Sequence, residues 1–561
     1  MATKGFFNAF EEVFILDGVR TPQVDYCGAF ADANPIDLGI KVARTVLQRT
    51  GLEAAAVDSV IAGNMAPGGF DQFYLPRHIG LYAGVPTEVP ALMAQRICGT
   101  GFELFRQAGE QISLGVASLA LVVGTESMTR NPIAAFDHRQ GFKLGAPLGF
   151  KDYLWEALTD PAAAISMIQT AETLARKYGI SRADVDAFAA TSFAHAVAAQ
   201  EAGWFVDEIV PVTSETFELE GYKPRGIRLA GKATVADRDT HPRPTPPEVL
   251  ANLRTVFPGG VQTGGNSSAL TDAAAAALVA SGAVARAWGE MTKQAPLARV
   301  AAAAVVGVPP ELMGIGPAPA IKLLLERAGR KLADIARFEI NEAQGAQTLA
   351  VGRELGLDLD KLNVKGGAIA LGHPLAATGV RLTITVARQL KEIGALGRGL
   401  GLHRRRARHC AADRKHRGTL STMSKSHIHR VDVQFGDCDP AGIVFFPNFS
   451  RWMDEASLAF FVSCGVPTWR VLVKSRGIVG TPLLEIHTRF FKPATYGETI
   501  EVHTTVEEWA AKTFRHRHVV RRGDDLLCEG TEVRAFVIRD PANPDRIKAI
   551  PIPEDIKALC S

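Results

Sequence analysis

At 561 residues the chain exceeds what one hydrophobic core supports, so several domains are expected. Its 47% hydrophobic and 22% charged residues exclude a disordered chain, and a net charge of +3 excludes a general affinity for nucleic acid. Seven cysteines lie scattered with no Cys-x-x-Cys pair, which argues against a disulfide scaffold or a zinc site. No run of about eighteen apolar residues occurs, and Met1–Phe7 lacks a signal-peptide core, so a cytoplasmic protein without a membrane partner is expected.

Taken in order, the first half alternates short β-branched runs with amphipathic stretches. Val13–Leu16 reads as a strand, and Pro35–Thr50 as a helix with an apolar stripe at Leu38, Val42, Val46 and Leu47. Ser59–Ala62 and Leu119–Val123 are strand-like and almost wholly apolar, as buried parallel strands are. The alternation predicts α/β layers. Thr125 to about Arg254 is richer in proline, charge and irregular spacing and is read as an inserted loop domain. A second α/β segment resumes at Ala273 and runs to Leu390.

Cys98 stands in Gln-Arg-Ile-Cys-Gly-Thr-Gly-Phe ahead of a helical spacing over Leu104–Ile112. A cysteine at a strand-to-helix turn faces the positive end of the helix dipole, which favours thiolate. Asn341 follows a strand-like Phe338–Ile340, and His373 lies in a Gly-His-Pro between glycine-rich turns. Nucleophile, base and amide donor form a usable constellation. With Arg20-Thr21-Pro22, Gly124–Met128, Asp207–Pro211, Gly265–Ser268, Met313–Pro317 and Gly366–Pro374 in order, residues 14–390 resemble the thiolase family. The resemblance implies that Cys98 takes the acyl group, that His373 activates it, and that Asn341 with His373 lines an oxyanion site. It also assigns Ser268, near the coenzyme A pantetheine, and Met313 to substrate binding. Gln344 departs from the family, which carries an aromatic there.

Thiolases need a second cysteine, in a Cys-x-Gly-Gly-Gly-Gln-Gly turn, to move a substrate α-proton. Where it should fall this chain reads Leu402-His-Arg-Arg-Arg-Ala-Arg-His409, part of a basic run over Arg398–Arg417 that resembles a solvated linker rather than a strand. Permissible codons for Leu402–His416, read one base later, spell Cys-Ile-Gly-Gly-Gly-Gln-Gly-Ile-Ala-Leu-Leu-Ile-Glu-Asn. A one-base frame shift between Ile393 and Leu402 is therefore expected, with thiolase turnover crippled. An open sheet edge would accompany the lost strand.

After Met423 the chain reads as one small domain. Asn448–Val462 is an amphipathic helix with Phe449, Trp452, Met453, Ala456 and Phe460 on one face, followed by alternating runs over Leu484–Phe490, Ile500–Trp509, Thr513–Arg521 and Cys528–Ile538. The block Phe435–Trp452, with Gly477–Pro482, Glu508-Trp509 and Leu559–Ser561, resembles the 4-hydroxybenzoyl-CoA thioesterases. That resemblance implies a hot-dog fold in which Asp439 attacks the thioester or activates water. The Phe446 backbone amide would polarise the carbonyl, Trp452 would flank a flat acyl group, and Lys512 would meet coenzyme A phosphates.

The expected fold class is α/β: a thiolase-like layered α/β/α/β/α body with an inserted loop domain, then a small α+β hot-dog domain. The expected boundaries are 1–285 (loop domain about 125–254), 286–396, a basic junction at 397–422, and 423–561. The expected function is a thiolase-type acyltransferase joined to an acyl-CoA thioesterase, with a non-catalytic acyl-CoA scaffold as the alternative. No metal or separate cofactor is required, coenzyme A being substrate or product. The expected partners are acyl-CoA molecules and further copies of the chain.

Overall fold

Asn34 opens the first long helix: its side chain accepts from the Ile36 amide, Pro35 fixes the first turn, and Gly51 closes it in a left-handed conformation. That helix, α1 (Pro35–Thr50), has the bounds that periodicity predicts. The computed structural model describes residues 4–136, 139, 141, 144–145, 147–394, 425–434, 437–438, 442–540 and 543–560. The chain divides into two units, Met1–Ala412 and Asp413–Ser561.

In the first unit, β1 (Gly5–Ala9), β2 (Val13–Arg20), β3 (Ser59–Gly63) and β4 (Ala91–Met93) precede α2 (Thr100–Ser113). They are followed by β5 (Leu119–Ser127), β6 (Thr271–Ser281), β7 (Ala298–Arg299), β8 (Ala302–Val306), α3 (Gly345–Leu355) and α4 (Leu375–Glu392). A seven-stranded sheet runs β7-β2-β6-β5-β3-β4, with Val24–Asp25 pairing β6 off the path. It is mixed: β3 runs parallel to β4 and β5, whereas β6 is antiparallel to β2 and β5. The apolar stripe of α1 packs on one face against Ala274, Ala276 and Leu278 of β6. Leu104, Phe105 and Ala108 of α2 with Val380, Ile384 and Ala387 of α4 cover the other, against Ala275, Ala277 and Val279. Both faces of β5 and β6 are therefore buried, which is why these strands read as continuous apolar runs.

Two differences from the sequence reading follow from the strand ends. Thr125, Glu126 and Ser127 belong to β5 and pair with β6, so they extend the sheet and are not loop. Ala273, read as the start of a second α/β segment, lies within β6, between β2 and β5 in the first sheet. Beyond β7, the described residues of this unit carry one further two-stranded pairing, β1 with β8, and bridges of Phe338 with Leu362 and of Gln344 with Ser267.

In the second unit, β9 (Ser426–Asp432), β10 (Leu483–Phe490), β11 (Thr499–Trp509), β12 (Thr513–Arg522) and β13 (Asp525–Ala535) form an antiparallel sheet of order β9-β11-β12-β13-β10, with the helix α5 (Pro447–Ser463) following β9 in the chain. Phe449, Trp452, Met453, Ala456, Phe460 and Phe461 of α5 are buried beneath it. Burial of each such large side chain stabilises by about 1.5–3 kcal/mol. The basic run 398–417, the expected junction and Met423 lie outside the described residues.

Candidate functional site

Helices α2 and α4 cross with almost no side chain between them. A Cβ at Gly101 would lie 2.4 Å from the Val380 nitrogen, and one at Gly379 would lie 2.5 Å from the Phe102 nitrogen. Only glycine permits this approach. It brings together the N-terminal ends of two helices, one preceded by Cys98 and the other by His373. Cys98 packs against a cluster formed by Met65, Ala66, Met128, Leu154 and Leu375, the last two residues beyond His373.

His373 is fixed from both sides. Its Nδ1 lies 2.7 Å from Thr378 Oγ1, and that hydroxyl donates to the Pro374 carbonyl at 3.1 Å. The hydroxyl proton is thus committed, so Nδ1 carries the ring proton and Nε2 keeps its lone pair. Asn341 Nδ2 donates to that Nε2 at 3.1 Å. Asn341 Oδ1 is buried without a partner. Burial, with the Arg381 charge adding to it, pushes His373 down to about 3, so the imidazole is a neutral base.

Cys98 is half-buried. Desolvation, with the Glu126 carboxylate adding to it, pushes its thiol up to about 11. The sequence reading placed a thiolate here on the helix-dipole argument. At this position burial and a neighbouring carboxyl outweigh the dipole, and the resting group is the thiol.

Glu126 is the residue that sequence reasoning passed over. It ends β5 fully buried, and its oxygens accept from Asn64 Nδ2 (3.1 Å), from the Met65 and Ala66 amides (3.0 and 3.1 Å), and from the Ala376 amide at the start of α4 (2.9 Å). Burial raises its pKa to about 7 despite those donors. One carboxyl therefore ties the turn beside Cys98 to the helix that carries His373. The signal available was an acid within the polar end, Thr125–Ser127, of an apolar run.

A cavity of about 630 Å³ opens beside this region, lined by Met65, Gln95, Ile97, Phe136, Lys151 and Tyr153 among others. Ser268 is half-buried, its amide donating to the Ala343 carbonyl at 3.1 Å, and Met313 is partly exposed on a short helical turn, Pro310–Ile315. Gln344 accepts from Ser267 Oγ (2.6 Å) and Gln262 Nε2 (3.0 Å), so an amide network occupies this position. Arg20 and Asp207–Pro211 contribute structure: Arg20 pairs with Glu208 and Asp239 at 3.0 and 2.7 Å in the core.

In the second unit, Asp439 lies outside the described residues, but the chain on both sides is anchored. Asp437 accepts from Arg451 Nη2 (2.6 Å) and the Gln434 amide (2.9 Å), and its carbonyl accepts from the Phe445 amide (2.8 Å). Cys438 bridges to Val444. Phe446 caps α5 just before Pro447, with its ring largely exposed. Trp452 was expected at an acyl pocket. The structure places it in the core at 2% exposure, edge-on to Phe449, because position 452 falls on the buried stripe of α5. Lys512 is exposed in the β11–β12 turn.

Two layered units, the first with an imidazole base and amide at a helix crossing beside a half-buried thiol, define an acyltransferase fold joined to a thioester-hydrolase fold. The thiolase N-terminal domain matches residues 13–283 and the thiolase C-terminal domain residues 294–402, while the thioesterase-like superfamily matches 433–559. The human mitochondrial 3-ketoacyl-CoA thiolase is 40% identical over 387 residues, covering 68% of this chain and 92% of that protein. A Pseudomonas aeruginosa acetyl-CoA acetyltransferase is 39% identical over 386 residues, covering 68% and 93%. The crystal structure of the human mitochondrial 3-ketoacyl-CoA thiolase superposes with a TM-score of 0.63 at 37% identity, covering 69% of this chain and 94% of that one. The Bacillus anthracis acetyl-CoA acetyltransferase structure gives 0.62 at 37% identity, with coverage of 69% and 94%. The chain belongs to the thiolase family, and its second unit to the thioesterase-like superfamily.

Proposed function

We propose that both units act on coenzyme A thioesters, the first by forming an acyl-thioester at Cys98 and the second by hydrolysing acyl-CoA through Asp439. The arrangement of His373 carries the reading: its unprotonated Nε2 sits beside the Asn341 amide at the helix end nearest Cys98. His373 takes the Cys98 proton as sulfur attacks the thioester carbonyl. Asn341 Nδ2 donates to the oxyanion, and coenzyme A thiolate leaves with that proton. Loss of one such donor costs about 10²–10³ in rate. Turnover beyond the acyl-enzyme is slow, because the motif holding the second cysteine is absent from the sequence and a missing general base costs about 10²–10⁴. The cause of that absence is the frame shift between Ile393 and Leu402, which resequencing the gene tests.

In the second unit Asp439 is the carboxylate, and Phe446 lends its amide at the first turn of α5, where helix N–H groups lack intrahelical partners. Phe445 and Phe446, 50% and 64% exposed, suit a flat acyl group such as 4-hydroxybenzoyl. Lys512 meets coenzyme A phosphates, and Ser268 and Met313 the pantetheine in the first unit. The units form homo-oligomers, β10 offering an open edge for pairing. The division at 1–285, 286–396, 397–422 and 423–561 is retained, as is a cytoplasmic location. No helix among the described residues is long and apolar enough to cross a membrane.

The test is intact-protein mass spectrometry after exposure to acetyl-CoA, alongside release of coenzyme A from 4-hydroxybenzoyl-CoA. An acetyl adduct that maps to Cys98 and vanishes in Cys98→Ser is expected, with hydrolysis abolished in Asp439→Asn. Rapid acetoacetyl-CoA thiolysis, or near-normal hydrolysis in Asp439→Asn, would refute the respective half of the reading.

A further inference from the structure

The core of the second unit holds a polar cluster that the acyl-CoA chemistry does not use. His516 and His518 are two apart on β12 and so share a face, and Glu532 of β13 stands opposite His516 in register. All three are buried, at 0%, 0% and 1% exposure. One ring nitrogen from each histidine and a carboxylate oxygen lie within 4.8 Å of one another.

Two of those atoms are unpaired. His516 Nε2 and Glu532 Oε1 are buried with no hydrogen-bond partner. Such orphans cost about 1–3 kcal/mol each. Neither tautomer of His516 relieves its Nε2. The other nitrogens are occupied: His516 Nδ1 lies 2.9 Å from Ser457 Oγ of α5, His518 Nδ1 lies 2.9 Å from Thr504 Oγ1 of β11, and His518 Nε2 lies 3.2 Å from Glu532 Oε2. A hydroxyl accepting from Nδ1 frees Nε2 as a ligand, which is how a metal-binding imidazole is oriented, and a cation would displace the proton through which His518 Nε2 donates to Glu532 Oε2 at 3.2 Å.

We propose that His516 Nε2, His518 Nε2 and Glu532 Oε1 bind a first-row divalent cation of the zinc class. Two imidazoles and one carboxylate are a donor set that zinc accepts, with a fourth position left for water. Bonds of about 2.1 Å at tetrahedral angles set donors about 3.4 Å apart, a contraction that side-chain torsions can supply. Glu532 Oε2 is held at 2.8 Å by Arg534 Nε, while Arg534 also pairs with Asp454 at 2.6 Å. The guanidinium charge is thus shared between two carboxylates, and Oε1 stays available to a cation. Rings of Phe460, Phe461 and Phe514, centred 5.0–5.5 Å from that of His516, exclude solvent. The site's role is to fasten α5, β11, β12 and β13 together. The absence of cysteine pairs had argued against zinc, but this donor set contains no sulfur.

Because the cluster is sealed, the metal must be present while the chain folds. The full chain is produced in medium containing Co²⁺, and its metal content and visible spectrum are recorded. One equivalent per chain with tetrahedral d–d bands and no thiolate-to-cobalt band is expected. His516→Gln and His518→Gln should each lose the equivalent. Thr504→Val, which keeps the side-chain volume, should bind about 10–100-fold more weakly. Should the glutamine variants fail to fold, wild type still decides: removing metal with a chelator under mild denaturant should lower its melting temperature, and refolding with Zn²⁺ should restore it. A folded wild type without stoichiometric cobalt, or undiminished binding in His516→Gln, would overturn the proposal.

Discussion

At Cys98 and His373 the resting state is a neutral thiol beside a neutral imidazole, because burial pushes the first up to about 11 and the second down to about 3. Between those values neither group changes charge, so acylation depends on proton transfer during attack and not on a preformed ion pair. Alkylation of Cys98 by iodoacetamide should therefore keep rising with pH towards about 11, where a preformed thiolate would give a plateau near neutrality. Cys98, Asn341 and His373 were legible as candidates because each sits in a short motif whose glycines and neighbours mark a turn. Their electrostatics were not. The carboxyl that helps hold the Cys98 thiol protonated belongs to Glu126, and Glu126 meets Ala376 across 250 positions, a contact no local spacing announces.

Among the elements, α1 was legible to the residue because an asparagine cap, a proline and a closing glycine bracket a clear apolar stripe. The end of β5 was misread, since Thr125, Glu126 and Ser127 are polar residues that stay in the sheet by pairing with β6. That junction carries a pH signature. The Glu126 pKa is raised from 4.5 to about 7, chiefly by burial. A raised carboxyl contributes stability that is fully present below about pH 4.5 and is lost as pH climbs to about 7, at about 1.4 kcal/mol per unit. Glu126→Gln removes the ionisation, so the variant's unfolding free energy should fall less than wild type's between about pH 5 and 7, by roughly 2–3 kcal/mol. Denaturant titrations at several pH values check this; parallel curves would be the contrary result. In the second unit β10 ends its sheet with Leu483, Leu484, Ile486 and Phe490 exposed. An open apolar edge invites pairing. Ile486→Lys should shift the protein towards monomer in light scattering with little change in thermal stability.

For the molecule as a whole, each unit has its own sheet and core clusters, so the two chemistries should be separable. A chain beginning at Met423 should hydrolyse acyl-CoA as fast per mole as the full chain, measured by coenzyme A release. Rewriting the junction in the alternative frame should raise thiolysis by about 10²–10⁴ without touching hydrolysis. The two-part organisation was legible from the motif blocks at either end, whereas the cluster in the second core was not. His516 and His518 alternate with Arg515 and Arg517 like any half-exposed strand, and only the register opposite Glu532 reveals which histidines face inward.

The glycine crossing of α2 and α4 sets a design rule for altering acyl preference. With no space for even a methyl group at Gly101 or Gly379, the two helices form one inflexible block. If the cavity beside Ile97 receives the acyl chain, longer or bulkier chains should be admitted by remodelling the wall that Phe136, Lys151 and Tyr153 contribute to it. Libraries aimed at chain length belong on that wall, and changes along the crossing would spoil the register of Cys98 and His373 before they enlarged anything.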